Sequence, residues 1–70
     1  MNAFMSIVYV KDDGTIDKST NGYSTMDEAE IAFHVALASA MQKEMYSKVI
    51  AKVFDFDGVD KFRRVWVRES

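Results

Sequence analysis

The chain has no cysteine and no proline, three glycines, one histidine and one tryptophan among its 70 residues. Without cysteine, disulfides and thiolate metal sites are excluded, and no redox compartment can be read. No apolar run approaches the roughly 18 residues that span a membrane as a helix. No basic segment precedes an apolar stretch at the N-terminus, so no signal peptide is read and a cytoplasmic location is expected. Charge of either sign is also scarce in excess: 9 basic residues face 11 acidic ones, for a net −2 and a pI near 5.2. That balance argues against a polyanion as the main partner. His34 has no second histidine or cysteine to share a metal with. There is no nucleophile–base pair and no glycine-rich phosphate loop, so the chain is read as non-enzymatic and free of cofactors.

What is present is a folding composition, 49% hydrophobic and 29% charged. Residues 1–70 make one domain. A chain this short buries only about 60% of its unfolded surface, so small domains lean on disulfides, a metal or oligomerisation. The first is excluded here.

Ala3 to Val10, "AFMSIVYV", reads as a strand, rich in β-branched and aromatic residues. "KDDGT" then turns into a second strand from about Thr15 to Thr20, because an aspartate–glycine pair supplies the positive φ of a hairpin loop. A three-residue loop closed by Gly14 pairs Val10 with Ile16. Thr25 and Glu28 have the spacing of a capping box, with Asp27, Glu28 and Glu30 at the positive end of the helix dipole. From Met26 to about Glu44 the sequence is free of glycine and rich in alanine. Lys48 to Asp55 and Asp60 to Arg68 form a second hairpin around "FDGV". The predicted fold class is α+β, ββαββ, two antiparallel hairpins in a sheet with one helix on a face.

The apolar patterning exceeds what such a fold can bury. One helix stripe holds Met26, Ala29, Phe33, Leu37, Ala40 and Met41. A second, Ile31, Val35 and Ala38, lies on nearly the opposite side. In the first strand Phe4, Val8 and Val10 point one way and Met5, Ile7 and Tyr9 the other. A three-residue loop in the second hairpin would put Val49, Ala51, Val53, Val65 and Val67 on one face. Ile50, Phe54, Phe56, Phe62 and Trp66 would share the other with Lys52, Arg64 and Arg68. One helix covers one sheet face, and surplus apolar area marks an interface. Self-association, most simply as a homodimer, is therefore expected through Ile31, Val35, Ala38, Val49, Val53, Val65 and Val67. An unidentified protein partner is expected at Lys52, Phe54, Phe56, Phe62, Arg64, Trp66 and Arg68. The same aromatic–arginine set is the alternative site for single-stranded nucleic acid, through stacking and phosphate attraction. It also has a plain reading as core, with Phe62 and Trp66 beneath the helix and arginines snorkelling outward.

"DKSTNGYSTMDE" raises a further alternative, a calcium loop with Asp17, Ser19, Asn21 and Glu28 as ligands and Gly22 at the bend. Against it, no helix precedes the segment and the eighth position is Ser24. Asn21–Gly22 reads equally as a turn and Thr25 as a cap. Asp55, Asp57 and Asp60 flank a tight turn, with nothing around them to form a cleft for acid–base work.

"YSTMDEAEIAFHVALASAM", Tyr23 to Met41, resembles a pattern in small uncharacterised proteins of bacteriophages and Gram-positive bacteria. Those have a leading hairpin, an acidic helix start, a Phe–His or Tyr–His pair and a closing hairpin. The resemblance covers the middle third of the chain and brings no activity with it. It implies a phage setting, a place in the host cytosol, and action by binding, as a virion component or an inhibitor of a host factor.

Overall fold

Across the first turn Val10 meets Ile16, and the Lys11 amide donates to the Thr15 carbonyl at 2.9 Å. The Gly14 amide closes back on the Lys11 carbonyl, with φ at +91°, a conformation costly for any residue with a Cβ. The expected three-residue loop is the one formed. Asp13 braces it, accepting from both the amide and the hydroxyl of Thr15.

The computed structural model describes residues 2–68. Its elements are β1 (Ala3–Lys11), β2 (Ile16–Tyr23), α1 (Met26–Gln42), β3 (Tyr46–Asp55) and β4 (Asp60–Val67). The strands form one sheet in the order β2-β1-β3-β4, every neighbouring pair antiparallel, with α1 packed on one face. This is the ββαββ fold expected from the sequence. β2 runs further than expected: Asn21 and Gly22 are not a turn but pair with Met5 and Phe4. An edge strand tolerates that glycine, and Tyr23 gains a place opposite Ala3.

The core lies between α1 and the two central strands. Ala3, Met5 and Ile7 of β1 and Val49, Ala51 and Val53 of β3 meet Ala29, Phe33, Leu37 and Ala40 of the helix. Thr25 caps the helix, its Oγ1 accepting from the Glu28 amide at 3.2 Å. Met26 is half-buried, but Met41, expected in the core stripe, is exposed. It follows Ala40 by one residue and so lies about 100° around the axis from it.

The second hairpin departs from expectation in one respect that changes its surfaces. Its loop does hold three residues: the Asp55 amide donates to the Val59 carbonyl at 3.1 Å, and Gly58 carries φ +86°. Just past it, however, Phe54 faces Asp60 while Val53 faces Phe62, so Lys61 is an extra residue, a β-bulge. From there on β4 is turned over. Phe62, Arg64 and Trp66 lie on the helix face beside Val53, Ala51 and Val49, and Val65 and Val67 lie on the far face. Strict alternation would have placed Lys61, Arg63, Val65 and Val67 toward the helix. The bulge brings the two aromatic side chains there instead, which hides more apolar area. Phe62 stacks on Phe33 with ring centroids 6.5 Å apart, and Trp66 packs against the core.

Candidate binding surface

The register fixes what the sheet presents on the side away from α1. Four rows cross it from β2 to β4. At one end lie Gly22, Phe4, Phe54 and Asp60, and next come Thr20, Ser6, Lys52 and Arg63. Then follow Lys18, Val8, Ile50 and Val65, and last Ile16, Val10, Lys48 and Val67. Among the described residues no element covers this face, and Ile16 and Val67 are each nearly 60% exposed, at 59% and 58%. The aliphatic side chains form one block across three strands, Val8–Ile50–Val65 above Val10 and Val67, with Ile16 at its corner. Phe4 and Phe54 stack at the other end, centroids 5.3 Å apart and planes 17° apart. Lys52 Nζ sits 5.4 Å from the Phe54 ring centre and 3.9 Å from Asp60.

The charge of this face is the reverse of the chain's. Among the described residues, Lys18, Lys48, Lys52 and Arg63 stand on it against the single carboxylate of Asp60, while the whole chain is at net −2. The missing negative charge is elsewhere. α1 contains Asp27, Glu28 and Glu30 and no lysine or arginine, and its outward side carries Ile31 and Val35, 64% and 59% exposed, with exposed Ala38. The molecule therefore has two bare apolar surfaces, one fringed with cations and the other with carboxylates.

The residues expected at interfaces divide accordingly. Ile31, Val35, Ala38, Val65 and Val67 are exposed, on opposite sides of the molecule. Val49 and Val53 are fully buried under the helix, so neither can serve self-association. Lys52 and Phe54 lie on the open face; Phe62, Arg64 and Trp66 do not, because the bulge carries them to the helix side. Phe56 stands exposed in the loop. The aromatic–arginine set read from the sequence is thus not one surface.

Arg68 is engaged within the fold. Its guanidinium stacks 4.8 Å from the Trp66 ring centre, Nε donates to the Tyr46 carbonyl at 3.0 Å, and Nη2 donates to the Lys43 carbonyl. It supplies a cation at the end of a helix whose last turn has no basic residue. Lys18, Lys48 and Arg63 were not anticipated. Extending the Val10–Ile16 register by two residues puts Lys18 beside Val8, and alternation in β3 puts Lys48 and Lys52 with Ile50. Nothing in the sequence marks the bulge that delivers Arg63.

The proposed calcium ligands are not gathered. Asp17, Ser19 and Asn21 occupy alternate positions of β2, a paired strand rather than a loop, and Glu28 lies in the first turn of α1. Asp17 instead pairs with Lys11 at 3.0 Å, a contact that raises the lysine pKa. Among the described residues no three acidic or histidine side chains converge on a point. His34 is exposed, 3.6 Å from Glu30. Asp55 serves the second turn: its carboxylate accepts from the amides of Val59 at 2.9 Å and Asp57 at 3.0 Å. Those bonds, that from Val59 foremost, hold its pKa below the usual carboxylate range. Among the described residues no helix is long and apolar enough to cross a membrane. No family model, curated protein or solved structure matches the chain.

Proposed function

We propose that the chain is a non-enzymatic protein-binding module whose working surface is the open sheet face. The observation that carries this reading is the aliphatic block of half-buried Val8, Val10 and Ile50 with exposed Val65 and Val67, on the sheet face away from the chain's own helix and ringed by Lys18, Lys48, Lys52 and Arg63. Interfaces combine an apolar centre with a polar rim in this way. A partner suited to it presents apolar side chains bordered by carboxylates. A phage setting, as the sequence resemblance implies, is compatible with a module that acts by binding.

The test is comparative capture from a lysate of the cells that carry the gene, using wild type, Val65→Glu and Lys61→Glu as baits. A protein retained by wild type and by Lys61→Glu, and lost with Val65→Glu, is the expected result. Identical sets of proteins on wild type and Val65→Glu would overturn the reading.

A second reading rests on the four cations and the Phe4–Phe54 stack: single-stranded nucleic acid laid along the same face. Titration of a labelled oligonucleotide at two salt concentrations tests it: binding at low salt that fades steeply as salt rises supports phosphate contacts, and no binding at low salt removes this reading.

A further inference from the structure

We propose that the occupant of the open sheet face is the outward side of α1 from a second copy of this chain, repeated head to tail. The inference rests on the binding role just assigned to the sheet face and names its partner.

Three features of the molecule carry it. The first is charge. The sheet face holds Lys18, Lys48, Lys52 and Arg63 against Asp60, and the helix holds Asp27, Glu28 and Glu30 with no lysine or arginine. The second is size. Ile31, Val35 and Ala38 span about 11 Å along the helix, at 1.5 Å per residue. Laid along the strands, that length reaches from the Ile50–Val65 row past the Lys48–Val67 row, two residues or about 7 Å away. The third is spacing. Glu28 and Asp27 precede Ile31 by three and four residues, about 4.5–6 Å along the axis. The Lys52–Arg63 row lies two residues from the Ile50–Val65 row, about 7 Å along the strands. A helix seated with Ile31 and Val35 on the block can therefore bring its carboxylates onto Lys52 and Arg63.

Symmetric alternatives lack that charge match. A two-fold contact through the sheet faces would join two sets of four cations, and one through the helices would offer neither set of carboxylates a lysine or arginine of α1. Pairing unlike surfaces leaves a free helix at one end of each complex and a free sheet at the other. Such heterologous contacts build rings or open chains rather than closed dimers.

Sedimentation velocity on the full chain tests this. For wild type, the mean mass should rise with concentration past that of a dimer. Val35→Glu damages only the helix side and Val65→Glu only the sheet side, so each alone should be monomeric. Mixed in equal amounts they should form a complex of two 8.0 kDa chains and stop there, because the surfaces left over are the damaged ones. A wild type that stays monomeric, a variant that still dimerises alone, or a mixture that stays monomeric would each overturn the proposal. Circular dichroism of each variant verifies folding, and a charge-only set avoids apolar sites altogether. Arg63→Glu and Glu28→Arg should each weaken assembly at least tenfold, and mixing the two should restore it. Were assembly absent while Val65→Glu still lost a lysate partner, the sheet face would remain a binding surface and only the identity of its occupant would fall.

Discussion

Arg68 offers the sharpest test of how this small fold is fastened, because one side chain from the end of β4 closes the far end of α1. Replacing it by alanine removes the stack on Trp66 and the donations to the Tyr46 and Lys43 carbonyls. A hydrogen bond to a charged group contributes about 1.5–3 kcal/mol when shielded. A cation over an aromatic ring adds about 0.5–1 kcal/mol at exposed sites, and one at a helix C-terminus about 0.3–1 kcal/mol. The side chain is only half-buried and these contributions overlap. A loss of about 2 kcal/mol is therefore expected, against the roughly 5 kcal/mol available to a marginal domain. At about 4–8 °C per kcal/mol for a chain of this length, Tm falls by about 8–16 °C. Arg68→Lys keeps the charge but not the planar fork, and should lose about half as much. Urea unfolding followed by circular dichroism, with a thermal scan, measures both. An Arg68→Ala protein within 0.5 kcal/mol of wild type, a margin typical of about any surface substitution, would refute the fastening role.

Phe33 is 4% exposed and stacks on Phe62, so Phe33→Ala should cost about 3–5 kcal/mol and leave a chain without near-ultraviolet dichroism at room temperature. Gly14 holds φ +91° with open space around it; Gly14→Ala should destabilise by about 1 kcal/mol through backbone strain alone, read as a lower urea midpoint with unchanged slope. Asp13 and Asp55 both have folded-state pKa values below the ordinary carboxylate value, from hydrogen bonds donated chiefly by Thr15 and Val59. The unfolded chain therefore binds more protons, so their stabilisation is complete above about pH 4 and is lost as pH falls through the lower folded values. Asp55→Asn should flatten the acid limb of a stability–pH curve, and an unchanged limb would count against that assignment.

Local chemistry made much of this molecule readable. The Asp–Gly signal, with Gly14 in a three-residue loop, fixed the Val10–Ile16 pairing. Strict alternation then separated Phe4, Val8 and Val10 from Met5, Ile7 and Tyr9 as the sheet does. Thr25 marked the helix start, and Ile31, Val35 and Ala38 marked a stripe that remains exposed. What could not be read depends on contacts distant in the chain. Gly22 looks like a turn residue until Phe4 lies across from it. Arg68 looks like a solvent cation until Tyr46 and Lys43 present their carbonyls. The cationic face is assembled from three strands, and no stretch of sequence is basic enough to reveal it. The faces of β4 were the largest loss, since one bulge reverses every assignment beyond it.

That bulge can be tested by removing it. With Lys61 deleted, Asp60 and Phe62 become neighbours, and the loop-set pairing of Phe54 with Asp60 leads directly to Val53 with Phe62, the pairing already present. Phe62, Arg64 and Trp66 stay on the helix side and Val65 stays on the open face. The deletion removes only the exposed Lys61–Asp55 contact at 3.7 Å, so stability should change by no more than about 1 kcal/mol. Deleting Arg63, a cation two positions on, has no such solution. If the bulge persists, Trp66 turns out to the open face; if it is absorbed, Phe62 turns out and Lys61 turns in. Either outcome carries an aromatic ring off the helix side, half-buried Trp66 in the first case and Phe62, already 38% exposed, with Lys61 turned inward in the second, and should cost about 1–2 kcal/mol. Urea midpoints of the two deletions decide the matter, with Trp66 fluorescence reporting which ring has moved. If deleting Lys61 were the more damaging, the bulge would not be what sets the two faces of β4, and the open surface assigned to Arg63, Val65 and Val67 would have to be redrawn.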